Sequence, residues 1–403
     1  MHSVIQSTYM CQSMFKLQKV YDFMEVYLDN SATTKPYDEV VSLMCDVMTS
    51  NYGNPSSLHR IGKKAEDLLS ESRLTLANAI GCKEDEFYFT SGGTESNNLA
   101  IIGYANANRR EGNRIITQRT EHAAVLEPFK QLESFGFDVV YIGVDEGGFP
   151  NLDELKSAIN DDTILLSFMY VNNENGAVFP IDQISALCNH KKCRLHIDAV
   201  QGFGKLPINV KTLGCDMMSL SSHKIHGPNG IGGLFVKQGT KINPIVFGGN
   251  QEKGLRSGTE NIASAAAFAK ATTIKLSNLE PDCQKISDLK NRLKCGLIRT
   301  IENVVINSPQ NSVCTILNVS FPGVKSEVLL HVLESKGIYV STGSACNSRK
   351  KKYSYVLGEM GLKDNVIDSA VRFSLSAFNT QEEIDYTIEV LKKEIPILRK
   401  IMK

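Results

Sequence analysis

Short apolar runs alternate with longer amphipathic patterns through most of the chain. Strand-like runs occur at residues 86–90, 114–117, 138–141, 164–170, 194–198, 217–221 and 231–236. Helical patterns precede or separate them, at residues 62–80, 96–110, 125–135, 152–159 and 181–190. The first of these patterns stops at Gly81, and glycine commonly follows the last turn of a helix. This alternation predicts an α/β fold whose mostly parallel sheet is covered by helices on both faces.

The pattern changes after about Ser277. Helical patterns at 282–299, 326–336 and 381–399 enclose strand-like runs at 315–320 and 371–375. Pro396 predicts a disturbed last turn of the final helix, because proline lacks the backbone donor. We expect a smaller α+β domain that includes the N-terminal segment, since the strand-like residues 26–28 precede the main alternation. The predicted domains are residues 39–275 and residues 1–38 plus 276–403.

Composition narrows the classes of partner. Lys+Arg and Asp+Glu both number 44, so the formal net charge is zero. A balanced chain has no global field that would steer nucleic acid or an anionic membrane. No apolar run approaches the roughly 20 residues that span a bilayer. We therefore expect a small-molecule substrate or a protein partner, with no nucleic acid and no membrane.

The cysteines and the N-terminal segment indicate the compartment. Ten cysteines are scattered along the chain without the regular spacing of a disulfide scaffold, which favours reduced thiols in a cytoplasmic protein. Residues 1–25 carry Lys16 and Lys19 but no arginine and no compact apolar block. This segment matches neither a signal peptide nor a transit peptide, and we expect an ordinary extension.

Three apolar runs end in polar or small residues. The run at 86–90 leads into Ser91-Gly92-Gly93-Thr94, where glycines and a new helix start can approach a phosphate. The run at 194–198 ends at Asp198, and the run at 217–221 leads to His223 and Lys224. Each is ordinary alone: a strand-to-helix turn, a capping aspartate or a surface lysine. Ligands in α/β folds lie beyond the carboxyl ends of strands.

Together these residues suit one cofactor, pyridoxal 5'-phosphate. It requires a lysine that condenses with its aldehyde, and a carboxylate that keeps its pyridine nitrogen protonated. It also requires a donor-rich cup for its phosphate. Lys224, Asp198 and the glycine turn would supply these three functions.

A fourth segment contains a candidate nucleophile. Small and polar residues surround Cys346 in Ser341-Thr342-Gly343-Ser344-Ala345-Cys346, and four cations follow at 349–352. Such a loop favours an accessible thiol, and adjacent cations favour the thiolate. The alternative is an incidental exposed cysteine beside a solvated run of charges.

Several ordered motifs extend this interpretation to most of the chain. They are Tyr27-Leu28-Asp29-Asn30, Tyr52-Gly53-Asn54-Pro55, Thr120-Glu121-His122, Val171-Asn172-Asn173-Glu174, Arg256-Ser257-Gly258-Thr259 and Arg372-Phe373-Ser374-Leu375. With them the sequence resembles the cysteine desulfurases that have a long active-site loop, within the fold-type-I pyridoxal-phosphate enzymes of the class-V aminotransferase family. The resemblance implies conversion of L-cysteine to L-alanine, with the sulfur passing to Cys346 as a persulfide. It also implies a homodimer and a sulfur-acceptor protein, such as an iron–sulfur scaffold or a tRNA-thiolation protein.

The resemblance also implies individual roles. Lys224 would hold the cofactor and move the α-proton, His122 would act as an acid–base group over the ring, and Cys346 would attack the substrate sulfur. Asn173 and Arg372 would hold the substrate carboxylate. The implied cofactor-binding residues are Gly93, Thr94, Asn173, Asp198 beside the pyridine nitrogen, Gln201 at the ring hydroxyl, Ser221, Ser222, His223, Lys224, and Thr259 from the other subunit.

Three alternative functions stay open at this point: a selenocysteine lyase, a small-substrate aminotransferase and a catalytically silent sulfur-carrier scaffold. An aminotransferase does not need Cys346, and a silent scaffold does not need Lys224 or Asp198. A zinc site at Cys188, His190, Cys193 and His196 is not expected, because a helix end running into a strand points these side chains in different directions.

Overall fold

The computed structural model describes residues 24–191, 193–342 and 354–402. The strands are β1 (Val26–Tyr27), β2 (Phe87–Thr90), β3 (Arg114–Gln118), β4 (Asp138–Ile142), β5 (Thr163–Met169), β6 (Arg194–Asp198), β7 (Met217–Ser221), β8 (Gly232–Val236), β9 (Val305–Ile306), β10 (Ile316–Ser320), β11 (Ile338–Tyr339) and β12 (Ala370–Ser374).

The α-helices are α1 (Asp38–Ser50), α2 (Arg60–Ile80), α3 (Gly93–Asn98), α4 (Tyr104–Asn108), α5 (Ala123–Ser134), α6 (Leu152–Ala158), α7 (Ile181–Lys191), α8 (Val210–Leu213), α9 (Ile262–Ser277), α10 (Leu279–Thr300), α11 (Ser326–Glu334), α12 (Tyr355–Glu359), α13 (Asp364–Ile367) and α14 (Gln381–Ile401). A wider π-helical turn, Leu99–Gly103, joins α3 to α4, so helical backbone continues from Gly93 to Asn108.

A seven-stranded sheet forms the centre of the fold, in the order β2-β8-β7-β6-β5-β3-β4. The strands from β7 to β4 are parallel, whereas β8 is antiparallel to both β7 and β2. All residues of β5 and β7 are buried, as expected for strands covered on both faces. The predicted α/β class and its mostly parallel sheet are confirmed.

Two smaller sheets form elsewhere. Antiparallel strands take the order β12-β10-β9, and β1 pairs in parallel with β11. Val26 and Leu28 are fully buried in an apolar cluster whose other members come from residues 286–398. The N-terminal strand therefore packs with the C-terminal part of the chain.

The predicted helix ends agree with the structure at Gly81 but not at Pro396. Gly81 closes α2 in the left-handed conformation with φ 77°. The final helix continues through Pro396 to Ile401, so the predicted disturbance of its last turn is wrong. Ile395 and Leu398 on either side are buried, and this packing compensates for the backbone donor that proline lacks.

Helices α1 and α9 are absent from the predicted set. Most residues of α9 are buried, including its run of alanines, so the helix has no polar face that would give a clear 3.6-residue period. Within the described ranges, no helix is both long and apolar enough to cross a membrane.

Candidate active site

Most of the predicted site residues line one cavity of about 310 Å³. It lies beyond the carboxyl ends of β5, β6 and β7, where α/β folds place their ligands. The predicted residues on its wall are Gly93, Thr94, His122, Asn173, Asp198, Gln201, Ser221, His223, Lys224 and Arg372. The fold brings these positions together although they are spread between residues 93 and 372 of the sequence.

Lys224 ends a single 3₁₀ turn that follows β7 directly. Its Nζ donates to the backbone carbonyls of Ser31 at 2.5 Å and Ala32 at 2.8 Å. The backbone of residues 31–32 therefore holds the amine at the cavity wall. An amine in this position is the group that a carbonyl cofactor requires.

Asp198 is the last residue of β6 and is 6% exposed. One carboxylate oxygen accepts from Asn97 Nδ2 at 2.7 Å, and the other accepts from the backbone N–H of Val200 at 3.0 Å. These two donors hold the carboxylate in one orientation at the cavity. An oriented acceptor of negative charge suits a protonated ring nitrogen.

His122 caps the N-terminus of α5, where its Nδ1 accepts from the backbone N–H of Ala124 at 3.1 Å. Because Nδ1 is an acceptor, a neutral ring carries its hydrogen on Nε2. Burial lowers the pKa of His122; the charge of Asp198 opposes this shift and that of Lys224 adds to it. The structure thus favours a neutral imidazole, a group that can accept or donate a proton at the cavity.

Arg372 lies on β12 and is 5% exposed. Its guanidinium donates to the backbone carbonyl of Asn173 at 2.9 Å and to Asp29 Oδ1 at 2.8 Å. Arg372 Nε and Asn173 Oδ1 are buried without a hydrogen-bond partner among the described residues. Such atoms are costly to leave unpaired. A ligand carboxylate would accept from Arg372 Nε, and a ligand N–H or O–H group would donate to Asn173 Oδ1.

The phosphate cup lies at the start of α3. The first helical turn leaves N–H groups without intrahelical acceptors, and Gly92 precedes it with φ 154° and open space beside it. Ser221 Oγ is buried there without a partner among the described residues. Burial and the charges of Lys224 and Lys205 lower the pKa of His223 to about 4, so its ring is neutral.

These observations fit pyridoxal phosphate. An amine, an oriented carboxylate and unsatisfied donors surround one cavity, as the sequence predicts. A side chain at Gly93 would narrow the cup, because an added Cβ would lie 2.5 Å from Val200 Cγ2. The residues present can therefore hold the aldehyde, the ring nitrogen and the phosphate.

Two predicted residues lie away from this cavity, one lines it with its amide already hydrogen-bonded, and one lies outside the described residues. Gln201 lines the cavity, but its amide already contacts Ser31 and Lys205. Ser222 is fully buried and does not line the cavity; its hydroxyl lies 2.0 Å from where a Cβ on Gly227 would be. Thr259 lines a separate cavity of about 200 Å³. Cys346 lies outside the described residues, so its place at the site stays a prediction.

Several residues that support the site have no role predicted from the sequence. Asn97 orients Asp198, Asp29 holds Arg372, and Ser31 accepts from Lys224. Glu121 is fully buried, and burial together with the charge of Asp198 raises the pKa of its carboxyl. Asp29 and Glu121 belong to motifs named above, and Asn97 follows the glycine turn, but their spacing carries no signal of these contacts.

The cysteine- and histidine-rich stretch before β6 has other partners. Cys188 Sγ and Cys193 Sγ lie 2.9 Å apart in the core. His196 is buried in the sheet between the hydroxyls of Ser167 and Ser219. Among the residues described, no group of three or more histidine, cysteine or acidic side chains could hold a metal ion.

The chain is similar to a known protein family and to individual relatives along most of its length. The family aminotransferase class-V matches residues 26–387. The chain is 43% identical over 374 residues to the cysteine desulfurase IscS of Methanosarcina thermophila, covering 93% of each protein. It is 41% identical over 378 residues to the cysteine desulfurase IscS of Dictyoglomus turgidum, covering 94% of this chain and 96% of that protein.

Solved structures agree with these relatives. A structure described as a NifS-like protein superposes with a TM-score of 0.88 at 36% identity, covering 93% of this chain and 100% of that one. A structure described as SspA in complex with cysteine gives a TM-score of 0.78 at 31% identity, covering 88% and 100%. The fold and the sequence thus point to the same group of proteins.

Proposed function

The chain belongs to the class-V aminotransferase family, and we propose that it is a cysteine desulfurase that converts L-cysteine to L-alanine. Its cofactor is pyridoxal 5'-phosphate, and the sulfur passes to Cys346 as a persulfide. The observation that carries this proposal is the cavity in which Lys224, Asp198 and Arg372 meet. It offers a place for a carbonyl cofactor beside a place for an amino-acid carboxylate.

Each residue has a task that follows from its position. Arg372 Nε is unpaired, and we assign it to the carboxylate of cysteine. The side chain of Asn173 lies beside it, and its unpaired Oδ1 would accept from a donor hydrogen of the bound substrate or cofactor. The bound cofactor would withdraw electrons from the substrate α-carbon. Lys224 Nζ would take the α-proton, and neutral His122 would exchange protons at Nε2.

The sulfur step balances without an external oxidant or reductant. The thiolate of Cys346 attacks the sulfur of cysteine, so an S–S bond forms as the substrate carbon–sulfur bond breaks. The electron pair of the broken bond stays with the carbon fragment, which gains protons and leaves as alanine. One cysteine and one enzyme thiol become one alanine and one enzyme persulfide.

The residues on either side of the undescribed segment 343–353 support this role for Cys346. Ser341 exchanges backbone hydrogen bonds with Arg372 at 2.8 and 3.2 Å. The Tyr355 hydroxyl donates to the carbonyl of Glu121, next to His122. Cys346 is five positions after Ser341, so an extended chain could carry its Cα no further than about 18 Å from the Cα of Ser341.

Quaternary structure and cellular role belong to the same proposal. Thr259 lies in a separate cavity, and we propose that it reaches the phosphate of the other subunit in a homodimer. We also propose that the persulfide passes to an acceptor protein, either an iron–sulfur scaffold or a tRNA-thiolation protein, in the cytoplasm. Cluster assembly by this chain would follow from the first acceptor.

The two-domain division also remains a proposal. Residues 39–275 would form the cofactor-binding domain, and residues 1–38 with 276–403 the smaller domain. Separate apolar clusters support it: the main cluster contains buried residues from 40 to 271, and another contains Val26, Leu28 and residues 286–398. Arg372, from the proposed smaller domain, and Lys224, from the proposed cofactor-binding domain, both line the cavity.

One assay tests the function. Purified protein is incubated with pyridoxal phosphate, L-cysteine and a thiol reductant, and sulfide and alanine are measured together. We expect both products in equal amounts from the wild type and neither from Lys224→Ala. Pyruvate and ammonia in place of alanine would contradict the proposal, as would conversion by Lys224→Ala at the wild-type rate.

A further inference from the structure

Lys205 is a buried lysine whose role the mechanism above does not use. It is 7% exposed and follows β6 in a turn that starts at Ala199. In the described part of the chain it forms no ion pair with a carboxylate. Its Nζ instead donates to the side-chain carbonyl of Gln201 at 2.5 Å. A buried cation held by a neutral amide is uncommon and calls for an explanation.

The amide of Gln201 has only one orientation that satisfies its neighbours. The Lys205 amine offers hydrogens, so it needs the oxygen Oε1. The other end donates from Nε2 to the carbonyl of Ser31 at 3.0 Å. The same carbonyl accepts from Lys224 Nζ at 2.5 Å, so Nε2 lies on the cavity side. Rotating the amide by half a turn would place donor against donor and acceptor against acceptor.

We infer that Lys205 is a positioning residue that keeps the donor end of Gln201 directed at the cofactor site. Nε2 carries two hydrogens, and Ser31 uses one. The second is available to an oxygen on the cofactor ring. With Oε1 turned inward, lone pairs would oppose that oxygen. This inference rests on the proposed cofactor site, because Lys205 acts on the ligand only through Gln201.

The position of Lys205 is fixed by its surroundings. Gly204 has φ 68°, and an added Cβ there would lie 2.7 Å from Ile225 Cγ2 and 2.9 Å from Lys275 Cγ. The turn therefore cannot shift easily. Burial and the charges of Lys224 and Lys275 lower the pKa of Lys205 to about 7. The amine carries hydrogens whether charged or neutral, so it can orient the amide in both states.

Lys275 provides a matched control. It is 5% exposed and lines the same small pocket as Lys205, but its Nζ is paired with Asp282 at 2.8 Å. Replacing it removes a buried positive charge without touching Gln201. A comparison of Lys205→Met with Lys275→Met therefore separates loss of charge from loss of orientation.

The test measures the bound cofactor rather than turnover. Each variant is reconstituted with pyridoxal phosphate, its dissociation constant is measured, and its visible absorbance is titrated against pH. Lys205→Met should weaken cofactor binding about tenfold or more, since a hydrogen bond to a charged oxygen is lost. It should also raise the pH midpoint by about one unit, because loss of a donor and of a nearby cation favours the protonated cofactor. Lys205→Arg should restore the dissociation constant and the pH midpoint to wild-type values. Lys275→Met should shift each quantity by no more than a third of the shift seen in Lys205→Met.

The same substitution made in a Gln201→Leu variant shows whether Lys205 acts through Gln201. In Gln201→Leu, adding Lys205→Met should produce no further change. The inference is overturned if Lys205→Met matches the wild type, if Lys275→Met shifts the midpoint equally, or if the Lys205→Met effect persists undiminished in Gln201→Leu. Lys205→Leu, which also lacks a donor, replaces the methionine variant if that protein does not fold. A wild type without visible absorbance would refute the proposed cofactor site itself.

Discussion

Individual polar atoms at the cavity are the clearest sign of a ligand. Arg372 Nε, Asn173 Oδ1 and Ser221 Oγ are buried without partners among the described residues. Leaving a buried polar group unpaired costs about 1–3 kcal/mol, so a folded chain keeps few of them. These three belong to residues that line one cavity, where a bound ligand would complete their hydrogen bonding.

Replacing Arg372 with lysine should impair substrate binding. Lysine keeps the charge but cannot contact Asn173, Asp29 and a carboxylate at once, as the planar guanidinium can. Loss of a charge-assisted hydrogen bond should raise KM for L-cysteine about 10- to 100-fold, with a smaller effect on kcat. Steady-state kinetics of alanine formation measures both.

Arg292→Lys is the control for this substitution. Two nitrogens of Arg292 also donate to a carboxylate, that of Asp385. This pair is exposed and remote in sequence from the site. Its KM should equal that of the wild type. An unchanged KM in Arg372→Lys would remove Arg372 from the substrate site.

Replacing Cys346 with alanine should separate cofactor chemistry from sulfur transfer. Lys224 and the phosphate cup are unaffected, so the variant should bind pyridoxal phosphate with wild-type absorbance. Sulfide release should fall to the background, since no thiol attacks the substrate sulfur. After treatment of the wild type with L-cysteine, mass spectrometry should find an added sulfur on the peptide that contains Cys346.

Cys295 is a suitable control because it is exposed but lies on α10. Cys295→Ala should desulfurate cysteine normally. Sulfide release from Cys346→Ala at the wild-type rate would instead indicate direct elimination. Activity of that variant on selenocysteine would extend the substrate range and leave the cysteine mechanism intact.

At the scale of elements, the site is built where β6, β7 and α3 adjoin. Asp198 ends β6, Lys224 follows β7 within one turn, and Gly93 begins α3. The side chain of Val200 packs directly over Gly93. The distance between the helix start and the loop after β6 therefore depends on the absence of a side chain at position 93.

Gly93→Ala should weaken cofactor binding. The added Cβ would meet Val200 Cγ2 at 2.5 Å, and relieving such a contact costs about 1–3 kcal/mol. We expect the dissociation constant for pyridoxal phosphate to rise about 5- to 150-fold. Val200→Ala in the same chain should recover part of this loss, because it removes the methyl group in the way.

Gly358→Ala controls for the change of glycine to alanine within a helix. Gly358 lies in α12, and nothing comes within 4 Å of its added Cβ. Cofactor affinity should be unchanged in this variant. Equal affinity in Gly93→Ala and the wild type would show that the cup does not depend on this close approach.

For the whole molecule, the position of Thr259 indicates more than one chain. Thr259 is predicted to bind the cofactor phosphate, but in the single chain it does not line the cavity that contains Lys224. Thr259 lies beside Gly258 and Glu260 in its own cavity, apart from Lys224 and Asp198. Phe247, earlier in the same region, is 80% exposed in the isolated chain. A second copy would account for both observations by accepting Thr259 at its site and covering apolar surface.

The protein should therefore be a homodimer with shared sites. Multi-angle light scattering should give twice the 44.5 kDa chain mass at assay concentration. Thr259→Ala should leave that mass unchanged and weaken cofactor binding by roughly tenfold, as loss of one hydrogen bond to a phosphate predicts. A fully active monomer would exclude this arrangement.

Apolar periodicity and the ordered motifs of the sequence are enough to predict the fold class and most of the residues that line the cavity. The periods of its apolar residues identified β6, β7 and α2 nearly to the residue, because burial on one or both faces leaves a regular pattern. Asp198 and Lys224 were recognisable since each follows an apolar strand, and strand ends meet at one edge of a parallel sheet. Local chemistry and chain order suffice for such residues.

The contacts that orient these residues arise from tertiary packing. Asp29 meets Arg372 across 343 positions, and Asn97 meets Asp198 across 101, so no sequence period links either pair. Lys205 follows Gln201 by four positions, yet its role depends on Ser31 at the other end of the amide. Helix α9 was not predicted, because it is buried on most sides and its sequence therefore lacks the alternation of polar and apolar faces. Contacts between distant segments arise when the sheet and helices pack, and the linear pattern does not encode which donor then faces which acceptor.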